Sequence, residues 1–253
     1  MLYLIYRQGR QEIGRVLLTI LAIAAIIAEI LVLEGFLAGN YAQLRSAVLS
    51  RGGDVMVTQS GISNFIAARS ILPQTTRAEV EKIPGVATAN PLTSLMTIYK
   101  KDGRRTPVII LVYDTTGGPG DIIAGTPITG NRDIVIDQSL ARRYDLVPGD
   151  PLVISNYEFN ISGVTTNSAA FFSPFAFLTY DGLIDFYFDS DVATDIAAFP
   201  LLSFLSVEVT PGSDPAIVAK HIRDNVIAAD AFLPADLAER DVNLGRELLG
   251  PIL

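Results

Sequence analysis

Residues 16–38 form one long apolar segment, interrupted only by one Thr, two Glu and one Gly. At about 1.5 Å of rise per residue, a helix of this length measures roughly 34 Å, enough to cross a hydrocarbon core of about 30 Å. Fourteen of its positions are Leu, Ile, Val or Phe. Together they favour insertion by about 6 kcal/mol, against a cost of about 3 kcal/mol for a carboxylate near the middle. The sequence therefore predicts a transmembrane helix over residues 16–39.

Two other interpretations of this segment stay open. A buried helix of a soluble protein usually keeps a polar stripe, whereas apolar residues surround the whole circumference from residue 16 to residue 27. A cleaved signal peptide has an apolar stretch of roughly 7–15 residues followed by small residues. Leu37-Ala38-Gly39 supplies small residues, but the apolar segment is longer than that and carries two acids. The uncleaved span is the favoured interpretation.

The flanks of the span predict how it continues and how it is oriented. Residues 1–15 alternate apolar and polar at helical spacing, which predicts a short interfacial helix on the cytoplasmic side. Residues 41–50 continue the helical pattern to about residue 50, where Gly52-Gly53 ends it. Three Arg precede the span and two follow it within fifteen residues. The positive-inside rule therefore predicts a cytoplasmic N-terminus in the inner membrane, with the main domain outside the cytoplasm.

Composition narrows the classes of function. The chain has no Cys and a single His, His221, and it lacks the G-x-S-x-G elbow of a serine hydrolase. The glycine-rich run at 117–120 is not followed by the Lys-Ser/Thr of a phosphate-binding loop. We therefore expect no catalytic residue, no cofactor and no metal site.

Charge narrows the classes of partner. Residues 1–39 hold equal numbers of Arg and Glu, so the net charge of −8 belongs to the remainder of the chain. We expect that acidic domain to have no Lys/Arg cluster, which disfavours nucleic acid and docking on anionic lipid.

Beyond the span, strand and helix patterns alternate in an α+β order. Two strand patterns, 86–100 and 107–113, flank an Asp102-Gly103 pair that is typical of a hairpin turn. Residues 115–130 are rich in Gly, Thr and Pro and read as a loop. The predicted architecture is an N-terminal transmembrane helix followed by a mixed α/β extracytoplasmic domain over 53–240 with a β-rich inserted subdomain. Its parts are an outer α/β subdomain at 53–115 plus 203–240, the β-rich insertion at 116–202, and an apolar approach to a second span at 241–253.

One polar residue inside the span is a candidate for helix–helix packing. A helical wheel places Ala22 and Ala25 on the same face as Glu29. Small residues beside a polar one are typical of an interface between helices in lipid. The alternative is a protonated Glu29 that faces lipid or water without a partner.

Several segments together resemble a known family. They read IVIDQSLA at 134–141, LVPGDPLVI at 146–154, FNISGV at 159–164, IPGV at 83–86 and VEVTPG at 207–212. In this order and spacing they resemble the extracytoplasmic core of MacB-like and FtsX-like ABC transporter permeases. The span, with Glu29-Ile30-Leu31, is similar to the first span of the DevC-like branch.

The resemblance implies a permease subunit that transmits ATP-driven motion from a separate cytoplasmic ABC ATPase to a periplasmic domain, for export or extraction of a periplasmic or lipid-linked substrate. It implies a homodimer or heterodimer of permeases in the lipid bilayer, a possible periplasmic adaptor protein, and no catalytic residue in this chain. Because such permeases usually have four spans, the chain is expected to be an N-terminal piece of one; whether it is truncated at Leu253 stays open. The alternative is a single-span, membrane-anchored extracytoplasmic binding or scaffold module.

Overall fold

The computed structural model of the chain describes residues 13–66, 69–170, 173–189 and 201–249. The helices are α1 (Ile13–Leu49), α2 (Thr75–Val80), α3 (Gln138–Tyr144), α4 (Tyr180–Asp189), α5 (Pro215–Asn225) and α6 (Pro234–Leu249). The strands are β1 (Val55–Gln59), β2 (Leu72–Pro73), β3 (Val86–Lys101), β4 (Arg104–Tyr113), β5 (Ile122–Gly125), β6 (Asp133–Asp137), β7 (Pro151–Ile154), β8 (Tyr157–Thr165), β9 (Ala169–Ala170), β10 (Ser173–Thr179), β11 (Leu201–Leu202), β12 (Phe204–Val209) and β13 (Ala229–Phe232). The chain divides into two compact units, at 1–42 and 43–253.

Helix α1 is one uninterrupted helix of 37 residues, as the apolar pattern and the absence of proline predict. Within the described residues it is the one helix long and apolar enough to cross a membrane. Its apolar side chains are exposed, with Leu18 at 68% and Val32 at 72%. A core helix of a soluble protein would be buried instead, so this alternative is excluded. Residues 13–15 of the predicted interfacial helix are the first residues of α1, and residues 1–12 lie outside the described residues.

The domain is built on a single twisted sheet with strand order β13-β1-β12-β3-β4-β10-β6-β8-β5. Its neighbours are antiparallel except for the pairs β4–β10 and β6–β8, which are parallel. Strand β7 pairs with β8, β9 pairs with β10, and β2 with β11 forms a separate two-stranded sheet. The predicted hairpin is confirmed, because β3 and β4 meet at Asp102-Gly103, where both residues have positive φ. The predicted α+β class is also confirmed.

Two hydrophobic clusters lie along this sheet. The first packs α5 onto β1 and β12 through buried residues such as Val57, Leu205 and Ile222. The second packs α3 and α4 onto β4, β6, β8 and β10, around the fully buried Phe159 and its neighbour Phe186. The long hairpin β3–β4 contributes to both clusters, so the sheet is continuous between them. The predicted boundaries of an outer subdomain and a β-rich insertion stay a prediction.

Three elements differ from the sequence patterns. The loop predicted at 115–130 contains the short strand β5, which pairs with β8 through an irregular register. Helix α4 lies in a stretch, 169–195, that the patterns left unassigned. Residues 241–249, predicted as the approach to a second span, are the second half of α6, and residues 250–253 lie outside the described residues. That second span stays a prediction.

Candidate functional site

The predicted packing residues lie on one face of α1. Ala22, Ala25 and Glu29 are spaced by three and four residues, which brings them onto adjacent turns of the same face. All three side chains are exposed on this chain. The face is available to another helix, and its role in packing stays a prediction.

The last two turns of α1 belong to the core of the domain. Leu44, Ala47 and Val48 are buried at i, i+3 and i+4, the spacing of one helix face. On the exposed side, the Arg45 guanidinium forms an ion pair with Glu239 of α6. Apolar burial contributes about 1.5–3 kcal/mol for each large side chain, whereas an exposed ion pair contributes less than about 1 kcal/mol. The helix is therefore attached to the domain mainly by its buried face.

Arg51 follows α1 and is fully buried. Its Nη1 donates to the carbonyl oxygens of Gly117 and Gly118, at 3.0 and 2.8 Å, and its Cζ lies 4.9 Å from the centre of the Phe177 ring. Among the described residues, its Nε and Nη2 have no hydrogen-bond partner. Burial without a carboxylate lowers the pKa of Arg51 to about 10. The guanidinium is nevertheless charged at neutral pH, and it connects the end of the helix to the 117–118 loop and to β10.

The loop that receives Arg51 depends on glycine. Gly117 has φ of +97°, and a Cβ at this position would lie 2.1 Å from the Cδ2 atom of Leu92. At Gly118 a Cβ would lie 2.6 Å from the ring of Tyr113. Only glycine at both positions allows the loop to lie this close to the sheet while its carbonyl oxygens point at Arg51.

A polar cleft of roughly 600 Å³ lies beside the same part of α1. Gln43 lines it together with Arg104 at the β3–β4 turn and with Arg142 and Arg143 of α3. Register places Arg104 opposite Lys101, and Arg105 opposite Lys100. The six residues that we call the basic cluster are Lys100, Lys101, Arg104, Arg105, Arg142 and Arg143.

Hydrogen bonds hold the two parts of the basic cluster together. Lys101 Nζ donates to the carbonyl oxygen of Tyr144, and Arg104 Nη1 donates to that of Arg143. Arg143 Nη1 in turn donates to Thr106 Oγ1 at 3.1 Å. The expectation that the acidic domain has no Lys/Arg cluster is therefore wrong: folding brings together two basic segments that are about forty residues apart in sequence.

Asp241 of α6 is the most strongly perturbed acid that the structure describes. It is 1% exposed, and its two carboxylate oxygens accept hydrogen bonds from the Phe65 N–H at 3.1 and 3.0 Å. Burial raises the pKa of Asp241 to about 6, although the backbone N–H groups of Phe65 and Ile66 oppose this. The carboxylate fastens α6 to the loop after β1, and its partners are backbone groups of that loop.

Known chemistry at the remaining polar residues is sparse. Across the described ranges, no group of three or more His, Cys, Asp or Glu residues is placed to hold a metal ion. His221 lies on α5, where its carbonyl oxygen accepts a hydrogen bond from Asn225 Nδ2. The geometry on the page is that of a helix fixed to a sheet, beside a cationic cleft.

Comparison with known proteins places the whole arrangement. The profile of the MacB-like periplasmic core domain matches residues 16–225, which is most of the chain. This chain belongs to the MacB-like periplasmic core domain family. Uncharacterized ABC transporter permeases from two strains of Mycobacterium tuberculosis are 28% identical over 186 residues. The matched segment covers 72% of this chain and 52% of each relative, so the chain spans about half the length of those permeases.

The solved structures agree on the fold. The periplasmic region of MacB from Actinobacillus actinomycetemcomitans is 12% identical, with a TM-score of 0.52 over 76% of this chain and 94% of that one. The predicted membership in the MacB-like permeases is confirmed. The relatives are ABC transporter permeases, a kind of subunit that is not catalytic. One apolar helix followed by a periplasmic-type domain fits an inner-membrane protein with an extracytoplasmic domain.

Sequence reasoning missed Arg51 and the basic cluster of this MacB-like domain. The run KKDGRR at 100–105 was a visible signal, because a hairpin turn places its four cations side by side. Nothing local marks Arg51 as buried, because the groups that cover it come from residues 66 to 126 positions away.

Proposed function

We propose that this chain is the membrane-anchored part of an ABC transporter permease. A separate cytoplasmic ATPase would drive motion that α1 carries to the extracytoplasmic domain, for export or extraction of a periplasmic or lipid-linked substrate. The observation that carries the proposal is α1 itself, whose apolar part is long enough to span a bilayer and whose last two turns are buried in the domain. Since close-packed interiors transmit displacement, a helix attached in this way moves the sheet with it.

The proposed orientation places the N-terminus in the cytoplasm. Three Arg before the span against two after it support this orientation through the positive-inside rule. Because the chain has no Cys, a single introduced Cys is its only thiol. In intact spheroplasts, a membrane-impermeant maleimide should label Lys82→Cys at once, but Gln8→Cys only after permeabilisation. The reverse pattern would overturn the orientation.

The partners in the membrane are a second permease chain, identical or related, and the span of that chain packs on the Glu29 face. A hydrogen bond between helices in lipid contributes about 1 kcal/mol, so Glu29→Leu should weaken association about fivefold. Glu34→Leu is the matched control, since it removes a carboxylate from a different face of the same helix. Energy transfer between labelled chains in vesicles measures both. Equal association of the two variants would remove Glu29 from the interface.

The coupling itself can be tested with the helix. When the full permease is assembled with its ATPase, the labelling rate of Lys82→Cys should change on addition of ATP. Insertion of two Gly after Ala42 breaks the helix between the two units and should abolish that change without loss of membrane insertion. If ATP never alters the rate in the unmodified helix, the chain is better described as a single-span anchored binding module. An adaptor protein outside the membrane would bind the domain beyond this point.

A further inference from the structure

We propose that the basic cluster binds the phosphate group of an anionic lipid in the leaflet that α1 enters, and so sets the position of the domain over the membrane. This proposal rests on the proposed function in one respect, which is that α1 crosses a bilayer. It assigns a binding site and a ligand class to a cleft for which the family membership implies none.

The position of the cleft along α1 favours a lipid. Gln43, which lines the cleft, lies four residues after the predicted span ends at residue 39. Four residues of helix correspond to about 6 Å along its axis. The polar headgroup layer on each side of a bilayer is about 5–7 Å thick, from the difference between the total thickness and the hydrocarbon core. The cleft therefore opens at the depth of the lipid headgroups.

The chemistry of the cleft suits a phosphate diester. Arg104, Arg142 and Arg143 line it, and a guanidinium offers paired N–H donors that match two phosphate oxygens. Within the part of the chain that the structure describes, no member of the basic cluster is in an ion pair with a carboxylate. The cations are mostly exposed, so they are able to bind a ligand without first breaking an internal contact.

The acids near the cluster do not cancel it. Asp102 lies in the β3–β4 turn and Asp145 follows α3. Asp137 lines the cleft, but its Oδ1 accepts from the Ser139 N–H and Oγ and its Oδ2 from the Ser168 N–H. Six cations against three acids leave a net positive patch on a chain whose overall charge is −8. This local reversal of sign favours an anionic partner held against one surface.

A charge-reversed variant tests the proposal in the full chain. Arg105→Glu with Arg142→Glu removes two exposed cations, neither of which makes a hydrogen bond within the described residues, so the fold is expected to survive. Lys82→Glu with Lys220→Glu is the matched control, with the same change in charge at exposed positions outside the cluster. Native mass spectrometry of the chain in dodecyl maltoside measures the binding of dihexanoyl phosphatidylglycerol, dihexanoyl phosphatidylcholine and inorganic phosphate.

The expected result is that phosphatidylglycerol binds at least tenfold more tightly than phosphatidylcholine. Each cation near a membrane surface contributes about fivefold, so the Arg105/Arg142 variant should lose at least tenfold in phosphatidylglycerol affinity while the control keeps it. Equal binding of the two lipids, or equal loss in both variants, would overturn the proposal. Competition by inorganic phosphate at an equal concentration would show a site for soluble anions instead. Resistance of the chain to alkaline extraction from membranes tests the span separately, so failure of either idea is recognisable.

Discussion

The buried carboxylate of Asp241 gives the sharpest quantitative prediction. Because burial raises its pKa from 3.8 to about 6, the folded chain holds a proton there that the unfolded chain releases, over the range from about pH 4 to pH 6. Below that range both states are protonated and the site costs nothing. Above it, ionised Asp241 destabilises the folded state by about 3 kcal/mol. The contribution of this residue to stability is therefore lost as the pH rises from 4 to 6.

The variant Asp241→Asn removes the titration but keeps an oxygen that accepts from Phe65 N–H. We expect the stability of the variant minus that of the wild type to increase by about 3 kcal/mol between pH 4 and pH 7.5. For a domain of this size the corresponding difference in Tm changes by roughly 6–12 °C. Only the change with pH is compared, so a constant offset from the amide's own hydrogen bonding does not matter.

Thermal unfolding of the full chain in a nonionic detergent, followed by far-ultraviolet circular dichroism, measures this difference. Asp236→Asn is the matched control, because Asp236 lies on the same helix and is exposed. Its difference from the wild type should stay nearly constant over the same pH range. If the Asp241→Asn and wild-type curves run parallel, the carboxylate is not desolvated and α6 does not pack as described.

Three further substitutions test the attachment of the helix and the core. Arg51→Ala removes two charge-assisted hydrogen bonds and a cation–π contact and relieves the cost of burying the charge, so urea denaturation should show a net loss of about 3 kcal/mol. Gly117→Ala should cost at least about 1 kcal/mol more than Gly103→Ala, because both have positive φ but only the first overlaps Leu92; similar losses would show that the loop adapts. Phe159→Ala should cost about 3–5 kcal/mol in the same assay, and a loss below 1 kcal/mol would contradict its full burial.

The features that the sequence predicted are those with local causes. The apolar run fixes α1 because helix formation and membrane thickness both depend on contiguous residues. Asp102-Gly103 fixes the hairpin because the turn requires positive φ at neighbouring positions. The order of short motifs was enough to indicate the MacB-like fold.

The features that the sequence did not predict depend on distant partners. Strand β5 is only four residues long and exists because β8 offers it an edge. Arg51 carries no sign of burial, because Gly117 and Phe177 cover it only after the sheet has formed. The basic cluster was hidden in the same way, since half of its cleft comes from α3.

The junction after α1 argues against a hinge at the point where the sequence most suggests one. Gly52 and Gly53 end the helix with positive φ, a pattern that often gives flexibility. Here Ser206 Oγ donates to the Gly52 carbonyl oxygen, and a Cβ at Gly53 would lie 2.2 Å from that same Ser206 oxygen. Asp54 N–H donates to the Val207 carbonyl oxygen immediately afterwards, so β12 holds the chain on leaving the helix. With Arg51 fixed on one side of this glycine pair and β1 on the other, bending here would break buried contacts. Motion that reaches the last turns of α1 is therefore passed to the sheet, as the proposed transport role requires.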